Sequence, residues 1–215
     1  MPKQTFLDLS EEKRGRILKT AIEEFAANPY DAASISNIVR NADIAKGSFY
    51  QYFTDKKDLY QYLIEFANAE KAQMMKGLPV PDPDTDLFGY FHWLFQSTVY
   101  FEIQFPLLAR IQYRAFVEEV PFPEMVEELR RRGTTQFFKQ LLSQGILQGR
   151  VSPFIDPDMG AFLLESAYYR FGPYFINRLN INRETVDIPA LFQSAEAQEM
   201  INNLLDIFKS GMQRE

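Results

Sequence analysis

ASISNIVRNADIAKGSFYQYFTDKKDL, residues 33 to 59, reads as two short helices either side of a tight turn, followed by the charged N-cap of a third helix. Ser34 can cap the first helix, because its hydroxyl accepts from an orphan amide two or three residues on. Ile35, Ile38, Val39 and Ala42 then recur at spacings of three and four, which gives that helix one buried face. Asp43-Ile44-Ala45 makes the turn and buries a single aliphatic side chain. The second helix, Lys46–Tyr52, buries Phe49 and Phe53 one turn apart and leaves Lys46, Ser48, Tyr50, Gln51 and Tyr52 for the outside. That outer set can donate to base edges and to phosphates, as a helix lying in a major groove must.

The run KGSFYQYFTDKKDL resembles the recognition segment of the tetracycline-repressor (TetR) family of transcriptional regulators, where a K-G-[ST]-[LF]-Y-x-[HY]-F core precedes x-[SDN]-K-x-x-L. The resemblance extends from about Ile17 to Glu65; beyond it the chain matches the family in length and helical character only. It implies an all-α protein of about nine helices: a helix-turn-helix DNA-binding domain over 1–54, a connecting helix over 55–76, and a larger helical ligand-binding and dimerisation domain over 77–215. Residue by residue, it implies that Ser34, Ser36, Lys46, Gly47, Ser48, Tyr50, Gln51, Tyr52 and Lys56 face DNA. Tyr50 and Lys56 would meet phosphates, while Lys46, Ser48 and Gln51 would reach base edges. Two positions depart from the family pattern. Asp43 stands where Gly is usual, at a site that commonly needs a left-handed backbone, and Ala45 stands where Ser or Thr usually caps the recognition helix.

Composition narrows the remaining classes. The hydrophobic fraction of 46% is ample for a packed core, and the aromatic fraction of 15% is high. The absence of Cys removes disulfide frameworks and thiolate metal sites, and a lone His92 removes a His-rich zinc site. No basic leader precedes an apolar run, and no stretch of about 18 apolar residues occurs, so a soluble, cytoplasmic protein is expected. The net charge of −6 argues against nucleic acid until its distribution is read. Residues 1–60 hold nine Lys or Arg and nine Asp or Glu, leaving 14 of the 23 cations and 20 of the 29 anions for the rest. The acidity therefore lies outside the reading head, where Lys46, Lys56 and Lys57 can keep the local field positive.

Along the chain, Ser10 opens an amphipathic helix to Ala27, and Asn28-Pro29 stops it. Asp55 caps a longer helix to about Lys76, and GLPVPDPDTD (Gly77–Asp86) follows as a semi-rigid connection. Further helices are expected over Leu87–Phe105, Pro106–Glu119 and Glu124–Gln148, then from Asp156 towards Leu179 with a bend at Gly172-Pro173, and over Pro189–Met212. The run Arg130-Arg131-Arg132 shares its helix with Glu124, Glu127 and Glu128, as a solvated, ion-paired face would. Met159–Leu179 is apolar nearly all round and Pro189–Met212 carries a broad apolar stripe; either both are core, or they form the homodimer interface that the resemblance implies.

The second half is dense in rings, with His92, Gln96, Arg110, Tyr113, Arg114 and Arg170 set among them. Rings at helical spacing are ordinarily core, but bulky side chains with a few polar groups also line small-molecule sites. His92, Phe95, Arg110, Tyr113, Phe138 and Tyr169 are the candidate ligand residues, and the implied effector is small and apolar or amphipathic. No nucleophile motif, carboxylate pair or phosphate-cradling loop accompanies His92, so no catalytic residue, metal ligand or cofactor is assigned. The leading expectation is a homodimeric, effector-controlled regulator of operator DNA, most often a repressor, switched by movement of Asp55–Lys76. The rival is a helical small-molecule binding protein or cryptic enzyme whose helix-turn-helix is only structural.

Overall fold

The computed structural model describes residues 2–77, 79–118 and 120–212. Two expectations fall partly outside them: Glu119 as a helix end, and Leu78 within the connection. The described residues form twelve helical segments and no strand. They divide into two compact units, one comprising residues to Met74 together with Phe105–Pro121, the other Met75–Gln104 together with the described residues from Phe122 on.

The first unit contains α1 (Gln4–Leu7), α2 (Glu11–Ala27), α3 (Ile35–Asn41), α4 (Lys46–Tyr52), most of α5 (Lys56–Met75) and α7 (Pro106–Val117). Ser10 and Ser34 cap α2 and α3 by accepting from the amides of Lys13 and Asn37, and Asp55 accepts from the amide of Asp58 at the start of α5. Ile17, Phe25, Ile38, Phe49, Phe53, Leu59, Tyr60 and Leu63 are buried, with Ile111 and Phe116 of α7. α7 packs on α2. It is fastened there by Arg114, whose Nη1 donates to the Phe25 carbonyl at 3.2 Å, and to α5 by Gln112, whose Nε2 donates to Asn68 Oδ1 at 2.6 Å.

The second unit contains α6 (Leu87–Gln104), α8 (Pro123–Arg132), α9 (Thr134–Leu147), α10 (Pro157–Arg178), α11 (Ile188–Gln193) and α12 (Ala195–Met212). α10 packs against α6 and α9, and α12 against α6, around Phe91, Phe95, Phe138, Leu142, Leu164, Phe175, Ile201 and Leu205. α10 and α6 come close at Gly172, where a Cβ would stand 2.7 Å from Glu102 Cγ and 3.2 Å from the Thr98 carbonyl oxygen. Arg131 and Arg132 both ion-pair with Glu128 on α8, as their spacing predicts.

Three departures raise the helix number above nine. The helix expected over Glu124–Gln148 breaks into α8 and α9 at Gly133, whose backbone (φ −109°, ψ −103°) is outside the helical region. The one expected over Pro189–Met212 breaks into α11 and α12 at Ser194, which is extended and whose hydroxyl accepts from the Ala197 amide as an N-cap. The third addition is α1, for which the sequence carries no periodic signal.

Candidate nucleic-acid interface

Between α3 and α4 the backbone of Asp43 is left-handed (φ +52°), so the turn takes the conformation that Gly would supply more cheaply. Ala45 offers no side-chain cap to α4. Two long-range contacts from α2 hold the motif. Glu24 accepts from the Ser34 amide at 2.8 Å and from Asn37 Nδ2 at 3.2 Å, while Arg16 Nε donates to the Ala42 carbonyl at 2.8 Å. One end of α3 is thus tied by a carboxylate and the other by a guanidinium.

On α4, Phe49 and the following Phe53 point inward, with rings 5.8 Å apart. Lys46, Gly47, Tyr50 and Gln51 are exposed, Tyr50 to 47%, and Ser48 is partly so. Ser36 is exposed on α3, whereas the Ser34 hydroxyl accepts from the Asn37 amide as the α3 cap. Tyr52 corrects the sequence reading. Expected outside, it is 5% exposed, because Phe6 of α1 packs beside it (ring centroids 6.1 Å) and gives that edge of α4 an apolar neighbour.

Lys56 also points elsewhere than expected. Its Nζ donates to the carbonyls of Tyr30, Asp31 and Ala33 at 2.7, 3.3 and 3.0 Å, and lies 4.4 Å from the centre of the Tyr30 ring. Three acceptors match the three donors of an ammonium group, so this side chain cross-braces the α2–α3 loop to the start of α5. An apolar-rich run next to a basic one gave no sign of this; the acceptors are backbone atoms, which sequence does not display.

The six candidate ligand residues divide between the units. Arg110 and Tyr113 are on α7 of the first, where Arg110 is exposed, sits over the Tyr113 ring at 5.7 Å and approaches Glu118 at 3.5 Å. The other four are in the second. Phe95 and Phe138 are fully buried and both meet Tyr168, at ring separations of 6.5 and 5.7 Å. Tyr169 shares a hydrogen bond with Thr134, and burial pushes its phenol well above the usual range. His92 is half-buried: burial pushes its imidazole below its ordinary pKa, a side-chain hydrogen bond with Gln198 opposes that, and the charge of Lys209 adds to it. An open pocket of about 470 Å³ also lies on α6, lined by Trp93, Gln96 and Tyr100 with Phe192 and Gln193.

The family model for bacterial regulatory proteins of the tetR family matches residues 17–63, and that for the tetracyclin repressor-like C-terminal domain matches residues 85–213. The chain belongs to the TetR family. A TetR family transcriptional regulator from Chloroflexus aurantiacus is 38% identical, over the whole of both chains, with a TM-score of 0.80. The HTH-type transcriptional regulator YhgD of Bacillus subtilis is 22% identical over 161 residues, 74% of this chain and 82% of its own. Bacillus subtilis FadR, solved in complex with stearoyl-CoA, is similar in fold at 16% identity, covering 89% of this chain and 97% of its own, with a TM-score of 0.63. This TetR protein is accordingly a DNA-binding transcriptional regulator. Among its described residues no helix is long and apolar enough to cross a membrane, and no cluster of three or more His, Cys, Asp or Glu could hold a metal ion.

Proposed function

We propose that α4 reads operator DNA through Lys46, Ser48 and Gln51 on base edges and Tyr50 on phosphate, in a cytoplasmic homodimeric repressor. The observation that carries this is the exposed donor set on one side of a helix whose other side is anchored by Phe49 and Phe53. Lys56 leaves the proposed DNA set, because its donors are already taken. Dimerisation through α10 and α12 is supported by a groove of about 750 Å³ between them, whose lining includes Ala167, Leu204 and Ile207. The lining also holds Arg170 and Arg178 of α10 and Glu196 and Glu199 of α12, so a two-fold arrangement that laid α10 against the partner's α12 would bring opposite charges together.

The effector is a small, largely apolar molecule held in the second unit. The rings around His92, Phe95, Phe138 and Tyr169 support that reading, as does the stearoyl chain, though not the charged CoA head, of the ligand of FadR. Because coupling free energy is symmetric, the effector weakens operator binding as much as operator weakens effector binding. The test is selection of duplexes from a random library, followed by a salt titration of the winners against random duplex. Steep weakening with salt in both, with tighter binding to the winners, is expected. Salt-independent binding without enrichment would instead favour a binding protein with a structural helix-turn-helix. A thermal-shift screen of acyl compounds, with operator titration of each hit, tests the effector.

A further inference from the structure

α4 is a poor helix by itself. It has seven residues, where isolated helices shorter than about 12–15 residues are marginal in water, and Ala45 gives it no side-chain cap. At its other end, Phe49 keeps an intrahelical partner, since its carbonyl accepts from Phe53. The next three carbonyls would be orphans. All three are taken by one short segment of chain. Lys3 Nζ donates to the Tyr50 carbonyl at 2.8 Å, the Thr5 hydroxyl to the Gln51 carbonyl, and the Lys3 amide to the Tyr52 carbonyl at 2.8 Å. Beside them Phe6 is 0% exposed, with ring centroids 4.8 Å from Phe53 and 5.7 Å from Tyr62. The far end of the segment is tied down as well, because Arg14 Nη1 of α2 donates to the Leu7 carbonyl at 3.1 Å.

We propose that Lys3–Leu7 is a clamp that sets the pitch of the recognition helix, with Lys3 and Thr5 acting as positioning residues for base readout. This rests on the reading of α4 as the DNA-contacting helix. The gripped carbonyls belong to Tyr50 and Gln51, whose side chains are the proposed phosphate and base contacts. Holding their backbone fixes the direction of their Cα–Cβ bonds, and base discrimination needs donors placed within about 0.5 Å. Non-specific attraction depends on charge and tolerates a looser helix. The clamp therefore acts on specificity more than on gross affinity. Lys3 spends its ammonium on the helix end, where a cation also complements the negative pole of the helix dipole.

The experiment uses full-length protein and the duplex that wild type enriches from a random library. Thr5→Val removes one donor at constant shape, Lys3→Met removes the ammonium, Lys3→Arg preserves a donor, and Phe6→Leu loosens the anchor. Thr5→Val and Lys3→Met should each weaken the enriched duplex about tenfold and random duplex less than about twofold, at unchanged salt slope, with Lys3→Arg recovering most of the loss. Amide exchange in α4 should quicken in Phe6→Leu while that of α7 stays constant. A Lys3→Met protein that weakens all duplexes equally and loses about one unit of salt slope would make Lys3 a phosphate ligand and overturn the clamp. Unchanged specificity in all the variants would also overturn it. If wild type enriches no duplex, the reading of α4 itself fails; the clamp is then decided by exchange, and unaltered α4 protection in Phe6→Leu removes it.

Discussion

Replacing Lys56 by Met separates two roles for one side chain. As a phosphate ligand, Lys56 would contribute to DNA affinity and little to stability. The structure shows it bonded to three carbonyls of the α2–α3 loop, two of these bonds part-buried, and stacked at 4.4 Å on Tyr30. Hydrogen bonds involving a charged group contribute about 1.5–3 kcal/mol, and a partly exposed cation–π contact about 0.5–1 kcal/mol more. Solvent reaches the ammonium from one side, and water can replace it at the Asp31 carbonyl, so the loss should fall near 2 kcal/mol rather than at the sum. Methionine preserves the stem and its packing, which confines the change to the head group. For a chain of this size about 2 kcal/mol corresponds to a fall of about 4–8 °C in melting temperature. The assay pairs a thermal melt with a salt titration of DNA binding. Lys56→Met should melt lower and keep the wild-type salt slope. A variant that melts with wild type and loses about one unit of slope would refute the assignment and return Lys56 to the phosphates.

Ile207→Glu puts a charge on the exposed side of α12, at a residue 71% exposed in the single chain; sedimentation should show folded monomer where wild type is dimeric. The same charge at Phe208 should unfold the second unit instead, since Phe208 is buried and stacks on Phe95 at 6.0 Å. Gly172→Ala places a methyl 2.7 Å from Glu102 Cγ and 3.2 Å from a backbone oxygen that cannot move away; a loss of about 1–3 kcal/mol is expected by chemical denaturation. Glu165 is buried on α10, and burial raises its carboxyl pKa, against the Thr135 hydroxyl bond and Arg130 that lower it, with Glu127 adding to the rise. A raised acid is stabilising at pH below its unfolded value, and that stability is lost as pH climbs through its folded value. Glu165→Gln keeps an acceptor for Thr135 and should gain on wild type from pH 4 to 7 in pH-dependent melts; a constant difference across that range would count against it.

The α3–α4 motif was legible because its determinants are local. Phe49 and Phe53 lie one turn apart, Ser34 caps the helix it begins, and Asp43 is tolerant of the left-handed turn it makes. What the sequence hid depends on distant backbone. Tyr52 turns inward because of Phe6, and Lys56 because of carbonyls more than twenty residues away. The Lys3–Tyr50 bond spans 47 residues and joins a side chain to a carbonyl, which no residue pattern encodes. The two missed helix breaks are a different matter. Gly133 and Ser194 are ordinary end and cap residues, but apolar residues resume beyond each, at Phe137 after the polar run 130–136 and at Ala195 after Ser194, and the stretches read as continuous helices.

The place of α7 bears on how an effector signal reaches α4. Sequence reading assigned the moving part to Asp55–Lys76. In the first unit, however, α7 is fastened to α2 by Arg114 and to α5 by Gln112. α2 in turn holds both ends of α3 through Glu24 and Arg16, and α3 packs on α4. Covalently, α7 follows α6 at Phe105 and precedes α8 by way of Pro121, so the chain leaves the second unit and re-enters it on either side of this one helix. α7 is thus joined by the chain to α6 on one side and to α8 on the other. From there the route to the reading helix runs through hydrogen bonds of 2.6 to 3.2 Å rather than through apolar contact alone. Such bonds are directional and fix orientation as well as distance, whereas apolar packing is non-directional and resists mainly separation. The orientation of α7 is therefore bonded to that of α2, which carries the motif, as directly as to that of α5, and a hydrogen-exchange comparison with and without effector would show whether α7 or α5 responds first.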